Sequence, residues 1–163
     1  MLDRLEALVR NVGVIAACIL IPAQILVGVS YLTSRKLFQF SITPLQELEW
    51  HFFFILVFLT LGAALLADRH VRIEIVRERL PPRARAIIEI TGFFVALLPF
   101  CVALIYLGGQ GAYMSFVTGE RSPAALGLPY RWVIRSTIPI GGALLLTAGI
   151  VGLVRNLRSL ARQ

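Results

Sequence analysis

Four long apolar runs, separated by polar segments, dominate the pattern of this chain. The runs cover residues 12–32, 50–67, 86–107 and 132–154. A helix that rises 1.5 Å per residue needs about 20 apolar residues to cross the hydrocarbon core of a bilayer. The pattern therefore predicts an all-α integral membrane protein with four transmembrane helices, forming one membrane domain over residues 1–163.

The polar segment 67–82, between the second and third runs, admits two structures. Residues 70–75 alternate polar and apolar side chains as a strand does, whereas the apolar side chains from 73 to 80 recur at helical spacing. An isolated strand at a membrane surface would leave its backbone groups unpaired. We therefore predict a short interfacial helix that ends at the two prolines, with Arg77 and Arg79 as lipid-facing anchors.

Local signals predict where two of the helices begin and end. Before the second run, Thr43 is suited to cap a helix, Pro44 suits its first position and Gln46 stands at the capping-box position. The third helix is expected to continue beyond its apolar run through residues 108–114, because no strong breaker occurs before Gly119.

Small residues within the runs predict close contacts between helices. The second run is bulky in its first half and ends in small residues after Leu61, beginning with Gly62. The fourth run contains Gly141 and Gly142, followed by Gly149 and Gly152. Because small side chains allow two helix backbones to approach, both runs are expected to pack tightly against neighbours.

Polar and sulfur-containing residues inside the runs are few. Gln24 follows Pro22 near the middle of the first run, and we expect it to hydrogen-bond across a helix interface, although a functional role for this amide stays open. Cys18 and Cys101 are expected to be small buried side chains, since a thiol oxidoreductase would require paired cysteines.

Composition agrees with a membrane protein and leaves no room for a soluble catalytic domain. Of 163 residues, 58% are hydrophobic and 15% charged, and the mean hydropathy is +0.81. The net charge of +7 does not indicate a nucleic-acid ligand, because the basic residues stand at the ends of the apolar runs.

The distribution of charge and aromatic residues predicts the orientation. Eleven of the 16 Lys and Arg residues flank the termini or lie in the segment between the second and third runs. The positive-inside rule therefore predicts that both termini are cytoplasmic. Aromatic side chains mark the opposite face, as an interfacial belt does. They are Tyr31, Trp50, Tyr113, Tyr130 and Trp132, of which Tyr130 and Trp132 are predicted lipid-facing anchors.

No residue pattern indicates catalysis, a cofactor or a metal. Acidic and histidine residues stand at the ends of the runs and not within them, where ionisable groups would indicate a transport path. His70 and Glu74 are too few for a zinc site. Glu49 and His51, two positions apart, do not share a helix face and so make a poor proton relay. We predict that the chain is not an enzyme.

Six sequence features together resemble the small membrane subunit, of DctQ type, of tripartite ATP-independent periplasmic (TRAP) transporters. The loop His70-Val71-Arg72-Ile73-Glu74 is similar to that of the family, with Glu74 where aspartate is more usual. The other features are the helix start QELEW at 46–50, the segment FLTLGAALL at 58–66, RLPPR at 79–83, GERSP at 119–123 with GLP at 127–129, and IPIG at 138–141.

The resemblance implies a function that depends on other chains. Such a subunit lies in the bacterial inner membrane and braces a large, elevator-type permease subunit, which holds the substrate and sodium sites. A periplasmic binding protein delivers an organic acid, often a carboxylate, and docks partly on the small subunit. Phospholipid is a further expected partner. Expected interface residues are Glu49, Trp50, Phe54, Gly62, Ala63, His70, Arg72, Glu74, Glu120 and Arg131.

Two other functions remain open at this point. An autonomous four-helix transporter would need an ionisable group within the membrane, and the first run offers only Gln24. An accessory subunit of another membrane complex would share every packing feature and differ only in its partner.

Overall fold

The computed structural model describes residues 1–39, 42–67, 81–124 and 127–161, and every regular element within them is helical. Helix α1 covers Leu2–Leu37 and α2 covers Thr43–Leu66. Helix α3 consists of Pro82–Gly92, a π-helical turn at Phe93–Leu97 and a further α-helical part at Leu98–Val117. Helix α4 covers Arg131–Ala161.

All four helices are long and apolar enough to cross a membrane, which confirms the prediction of four spans in an all-helical protein. The helices extend beyond the apolar runs because no proline or glycine interrupts the polar residues next to them, as at positions 2–11 of α1. Helix α3 continues past residue 114, as predicted, and ends at Val117. The predicted interfacial helix lies outside the described residues.

The start of α2 differs from the prediction by one residue. The N-cap is Ile42, in an extended conformation (φ −95°, ψ 94°), and no side chain caps the helix. Thr43 is therefore the first helical residue and Pro44 the second. Proline fits either position, because backbone N–H groups in the first turn have no partner within the helix. The prediction of Thr43 as the cap was wrong.

The π-helical turn in α3 was not predicted, although Pro99 explains it. A proline at position 99 has no N–H to donate to the carbonyl of Val95, and its ring crowds that carbonyl. The chain accommodates this by widening one turn, and the Leu98 N–H bonds to the carbonyl oxygen of Phe93, five residues earlier.

Helix α4 is the centre of the bundle. It has broad contacts with α2 and α3 and a smaller one with α1, whereas α1 packs chiefly on α2. The glycines of α4 make these contacts close. A Cβ added to Gly141 would lie 2.6 Å from the backbone oxygen of Phe58, and one on Gly142 would lie 3.0 Å from Leu104 Cβ. Gly149 faces the ring of Phe93. The predicted close packing is confirmed at these three positions but was wrong at Gly152, where nothing lies within 4 Å of an added Cβ because that position faces away from the neighbouring helices.

The small residues of α2 also pack within the chain. A Cβ on Gly62 would lie 2.8 Å from both the Leu144 carbonyl oxygen of α4 and a methyl group of Val9 in α1. Ala63 fills the space opposite Gly13 of α1. Gly62 is buried, so in this structure it presents no surface to another protein.

The two cysteines have different surroundings. Cys101 is fully buried in α3, as predicted, whereas Cys18 is exposed on α1, so the prediction for Cys18 was wrong. The reason is the position of α1 at the edge of the bundle, where only one face is covered. Gln24, also on α1, is half-buried and makes no hydrogen bond within the described residues, so the predicted interhelical bond is absent there.

Side chains of α4 join its neighbours at the end of the bundle that holds both chain termini, called here the terminal end. Arg155 forms an ion pair with Glu6 of α1. The next residue, Asn156, donates a hydrogen bond of 2.7 Å to Glu89 of α3. Adjacent residues of α4 thus hold α1 and α3. The opposite end, where α2 and α4 begin, is called the loop end.

Candidate functional site

The loop end contains a connected group of charged and polar side chains between α3 and α4. Helix α3 ends in a Schellman motif, in which the Gly119 N–H bonds to the Phe116 carbonyl and the Glu120 N–H to the Ser115 carbonyl (3.0 Å). Gly119 has φ +62°, which glycine adopts without steric cost. The motif directs Glu120 back toward α4.

Glu120 is the acidic centre of an ion-pair cluster. Its Oε1 lies 2.7 Å from Arg135 Nη2 and 3.5 Å from Arg131 Nη1. Its backbone oxygen also accepts the Arg131 N–H at 3.3 Å. Arg135 additionally reaches the carbonyl oxygen of Gly111 in α3, at 3.5 Å. The cluster therefore fixes the start of α4 against the end of α3.

Glu47, in the second turn of α2, binds the loop between α3 and α4. It accepts a hydrogen bond from the Ser122 hydroxyl, and its Oε2 accepts the Leu128 N–H at 2.6 Å. The Ser122 N–H in turn donates to the Leu128 carbonyl at 3.2 Å. A Cβ on Gly127 would collide with the Ser122 side chain and lie 2.9 Å from Glu47 Oε1, so a larger residue there would displace both partners of this hydrogen bond.

Other residues of α2 that the sequence singled out lie beside this site. Glu49 is half-buried, with a carboxylate oxygen 3.4 Å from where a Cβ on Gly28 of α1 would stand. Trp50 is 64% exposed. The ring of Phe54 lies 4.7 Å from that of Phe58, measured between centroids.

The predicted anchors Tyr130 and Trp132 flank the start of α4. Tyr130 is exposed and has φ +63°, an unusual conformation for a residue with a bulky side chain. Trp132 packs edge-to-face on Phe116 with ring centroids 5.4 Å apart. The remaining predicted residues, His70, Arg72, Glu74, Arg77 and Arg79, lie outside the described residues.

Glu120 and Arg131 were both predicted as interface residues from the sequence, but no contact between them was predicted. Three other residues of the site were missed. Glu47 was identified only as part of the helix start at 46–50, and Ser122 and Arg135 received no role. The contacts of Glu47 cross 75 and 81 positions, and nothing in a single sequence indicates such a pair.

The arrangement is suited to holding a surface in shape. Within 1–39, 42–67, 81–124 and 127–161, no three His, Cys, Asp or Glu side chains form a group that would hold a metal ion. The carboxylate of Glu47 accepts hydrogen bonds from the loop, and that of Glu120 pairs with two arginines. The site therefore consists of a loop fixed at both its ends.

Comparison with known proteins gives the family. A family model described as "Tripartite ATP-independent periplasmic transporters, DctQ component" matches residues 24–159, most of the chain. No curated protein is matched. The matched region contains α2, α3, nearly all of α4 and the whole loop-end cluster. This chain belongs to the DctQ family and is the small permease component of a TRAP transporter.

Proposed function

We propose that this chain is the non-catalytic small permease subunit of a sodium-coupled TRAP transporter for organic acids. It braces a large, elevator-type permease subunit and contributes to docking of the periplasmic binding protein. The observation that carries the proposal is the family match over residues 24–159. An autonomous transporter and a subunit of another membrane complex are the alternatives.

The internal packing supports a bracing role. Helix α4 meets its neighbours through glycines at Gly141, Gly142 and Gly149, and such close contacts make helices move as one body. The ionisable groups of the described helices lie toward their ends, where they form cross-links such as Arg155 with Glu6. A path for a charged substrate and for sodium is therefore assigned to the large subunit.

We propose a location in the bacterial inner membrane with both termini cytoplasmic. The ion pair between Glu6 and Arg155 supports termini that share one side of the membrane. The excess of Lys and Arg near that side supports the cytoplasmic assignment. The loop end then faces the periplasm, where a binding protein would reach it.

Several residues are proposed as contacts with other molecules. Trp50, with Glu49 and Phe54 on the same helix, is assigned to the large subunit, since large exposed aromatic side chains are common in protein interfaces. The loop at Glu120 and Arg131 is assigned to the binding protein. His70, Arg72 and Glu74 remain proposed contacts of the large subunit, and Arg77, Arg79, Tyr130 and Trp132 proposed contacts of phospholipid.

Co-purification tests this proposal directly. The tagged chain is extracted from its native membranes in mild detergent, and its companions are identified by mass spectrometry. We expect a larger multi-span permease in near-equal amount. The complex, placed in liposomes with the binding protein, should take up organic acid only under an inward sodium gradient and only when the small subunit is present.

Two results would contradict the proposal. A lone chain or homodimer that transports by itself would support the autonomous transporter and direct attention to Gln24. A stoichiometric partner that is not a permease would support the accessory subunit of another complex.

A further inference from the structure

Three basic side chains at the loop end have no ion-pair partner among the described residues. Helix ends and loops there contain five basic residues and three carboxylates, and the residues of these loops that lie outside the described ranges carry no charge. Glu120 pairs with Arg131 and Arg135. Arg35, Lys36 and Arg121 are exposed and form no ion pair in the described part of the chain.

The carboxylates of the loop end are turned toward the chain itself. Glu47 is occupied by Ser122 and Leu128, and Glu120 by its two arginines. Glu49 stands against Gly28 in the contact between α1 and α2. Two of the three carboxylates are thus engaged by hydrogen bonds or ion pairs within the chain, while three basic side chains remain exposed. The surface that meets the aqueous phase is therefore basic.

Local structure accounts for the exposed cations at the end of α1 but not for an exposed arginine at position 121. Arg35 lies with Lys36 in the last turn of α1, where the helix dipole favours cations. Arg121 lies in no helix, yet the backbone is held on both sides of it. The Glu120 carbonyl accepts the Arg131 N–H, and Ser122 is fixed by Leu128 and by Glu47. The guanidinium thus stands exposed on an ordered backbone, next to exposed Pro123.

We propose that Arg121 docks an acidic patch on the periplasmic binding protein, and that Glu47 is the positioning residue that holds the loop for this contact. The inference rests on the proposed function, because it requires a binding protein that docks on this subunit. Arginine is favoured at interface centres, since its planar guanidinium pairs with a carboxylate through two hydrogen bonds. A loop already fixed in its bound shape loses little conformational entropy on docking.

Affinity measurements on the assembled complex test the role of Arg121. The small and large subunits are placed together in nanodiscs of uncharged phospholipid, and the Kd of the purified binding protein is measured. Arg121→Glu should raise Kd about tenfold, because like charges then face each other, and the effect should shrink at high salt. Arg121→Lys, which keeps the charge, should raise Kd much less than Arg121→Glu does.

Arg158→Glu is the matched control, since Arg158 is also an exposed arginine and lies near the terminal end of α4. Its Kd should equal that of the wild type. An unchanged Kd for Arg121→Glu would overturn the inference. So would an effect seen only in nanodiscs of anionic phospholipid, because Arg121 would then act on the membrane surface. A wild-type complex that assembles but binds no binding protein would overturn the docking part of the proposed function, and this inference with it.

A photo-crosslinking amino acid at position 121 identifies the contact itself. We expect crosslinks to an Asp- or Glu-rich segment of the binding protein. Reversing the charge of the acid found there should restore the affinity lost in Arg121→Glu. Crosslinks only to the large permease would contradict the assignment.

A double-mutant cycle tests Glu47 as a positioning residue. Glu47→Gln alone should raise Kd severalfold while co-purification with the large subunit is unchanged. In the Arg121→Glu background it should add little, because the contact that it positions is already lost. Additive losses would show that Glu47 affects docking by another route and would overturn this part of the inference.

Discussion

At the scale of single residues, the carboxylate of Glu47 has the most consequences. It bonds to a side chain and to a backbone N–H of a loop that is far away in the sequence, with Leu128 N at 2.6 Å. Hydrogen bonds to a charged acceptor are stronger than those between neutral groups. Two such bonds replace water around one carboxylate and fix the loop at Ser122 and Leu128. The shape of the loop thus depends on a residue of α2.

Glu47→Gln should loosen this loop in the isolated subunit. An amide removes the charge: its oxygen still accepts the Leu128 N–H, but its NH2 group has to donate to the Ser122 hydroxyl, so both bonds become weaker bonds between neutral groups. A loss of ~1.4 kcal/mol in the free energy of loop opening corresponds to tenfold faster cleavage when opening is rapid. Trypsin cleavage after exposed Arg121, followed on gels, measures this rate.

Glu49→Gln is the control for that experiment, since Glu49 lies on the same helix and makes no hydrogen bond to the loop in the described residues. Trypsin should cleave the Glu49→Gln variant at the wild-type rate. Equal acceleration in both variants would mean that general loss of negative charge, and not the bonds of Glu47, changes the loop.

Some residues of the site could be identified from the sequence, whereas their long-range contacts could not. Glu120 and Arg131 were identified because they lie in one short loop with a recognisable order of residues. Glu47 was not paired with Ser122, because their contact depends on how α2 packs beside α4, which no local pattern encodes. Gly62 was expected at an interface with a partner, whereas Leu144 of the same chain covers it.

At the scale of elements, apolar runs were sufficient to find the four helices but not their details. Crossing a bilayer requires length and low polarity, and both are visible in composition. The start of α2 and the π-helical turn at Phe93–Leu97 were missed, because each depends on how the backbone accommodates a proline. The glycines of α4 were found, since small residues at helix contacts are a general feature of membrane proteins.

Two glycines of α4 provide a matched test of this packing. Gly141→Ala should destabilise the isolated subunit by about 1–3 kcal/mol, because its Cβ would meet the Phe58 backbone oxygen at 2.6 Å. Gly152→Ala should be neutral or slightly stabilising, as nothing lies within 4 Å of its Cβ and alanine favours helix. Thermal unfolding in detergent compares them, and an equal loss in both would contradict the packing argument.

At the scale of the whole molecule, the helices form a row in the order α1, α2, α4, α3, with α4 also touching α1. Both outer helices have large apolar side chains exposed along their length, such as Ile19 and Leu26 on α1 and Val95 and Phe100 on α3. In a membrane these faces meet lipid or another subunit.

The orientation of this row is open to a direct test. Green fluorescent protein fused to the C-terminus should fluoresce, because it folds in the cytoplasm, and alkaline phosphatase at the same place should be inactive. Phosphatase fused after Ala124, in the loop between α3 and α4, should be active. The reverse result at both sites would contradict the positive-inside assignment.

The central place of α4 also determines the order in which the chain acquires its structure. Helices α1 and α2 have broad mutual contacts and are made first, so they are able to pair while synthesis continues. Helix α3 makes its main contacts with α4, which is made last. A ribosome-bound intermediate that ends before residue 131 therefore contains a paired hairpin and one solitary helix. The membrane insertion machinery, or a chaperone beside it, would have to shelter α3 until α4 emerges.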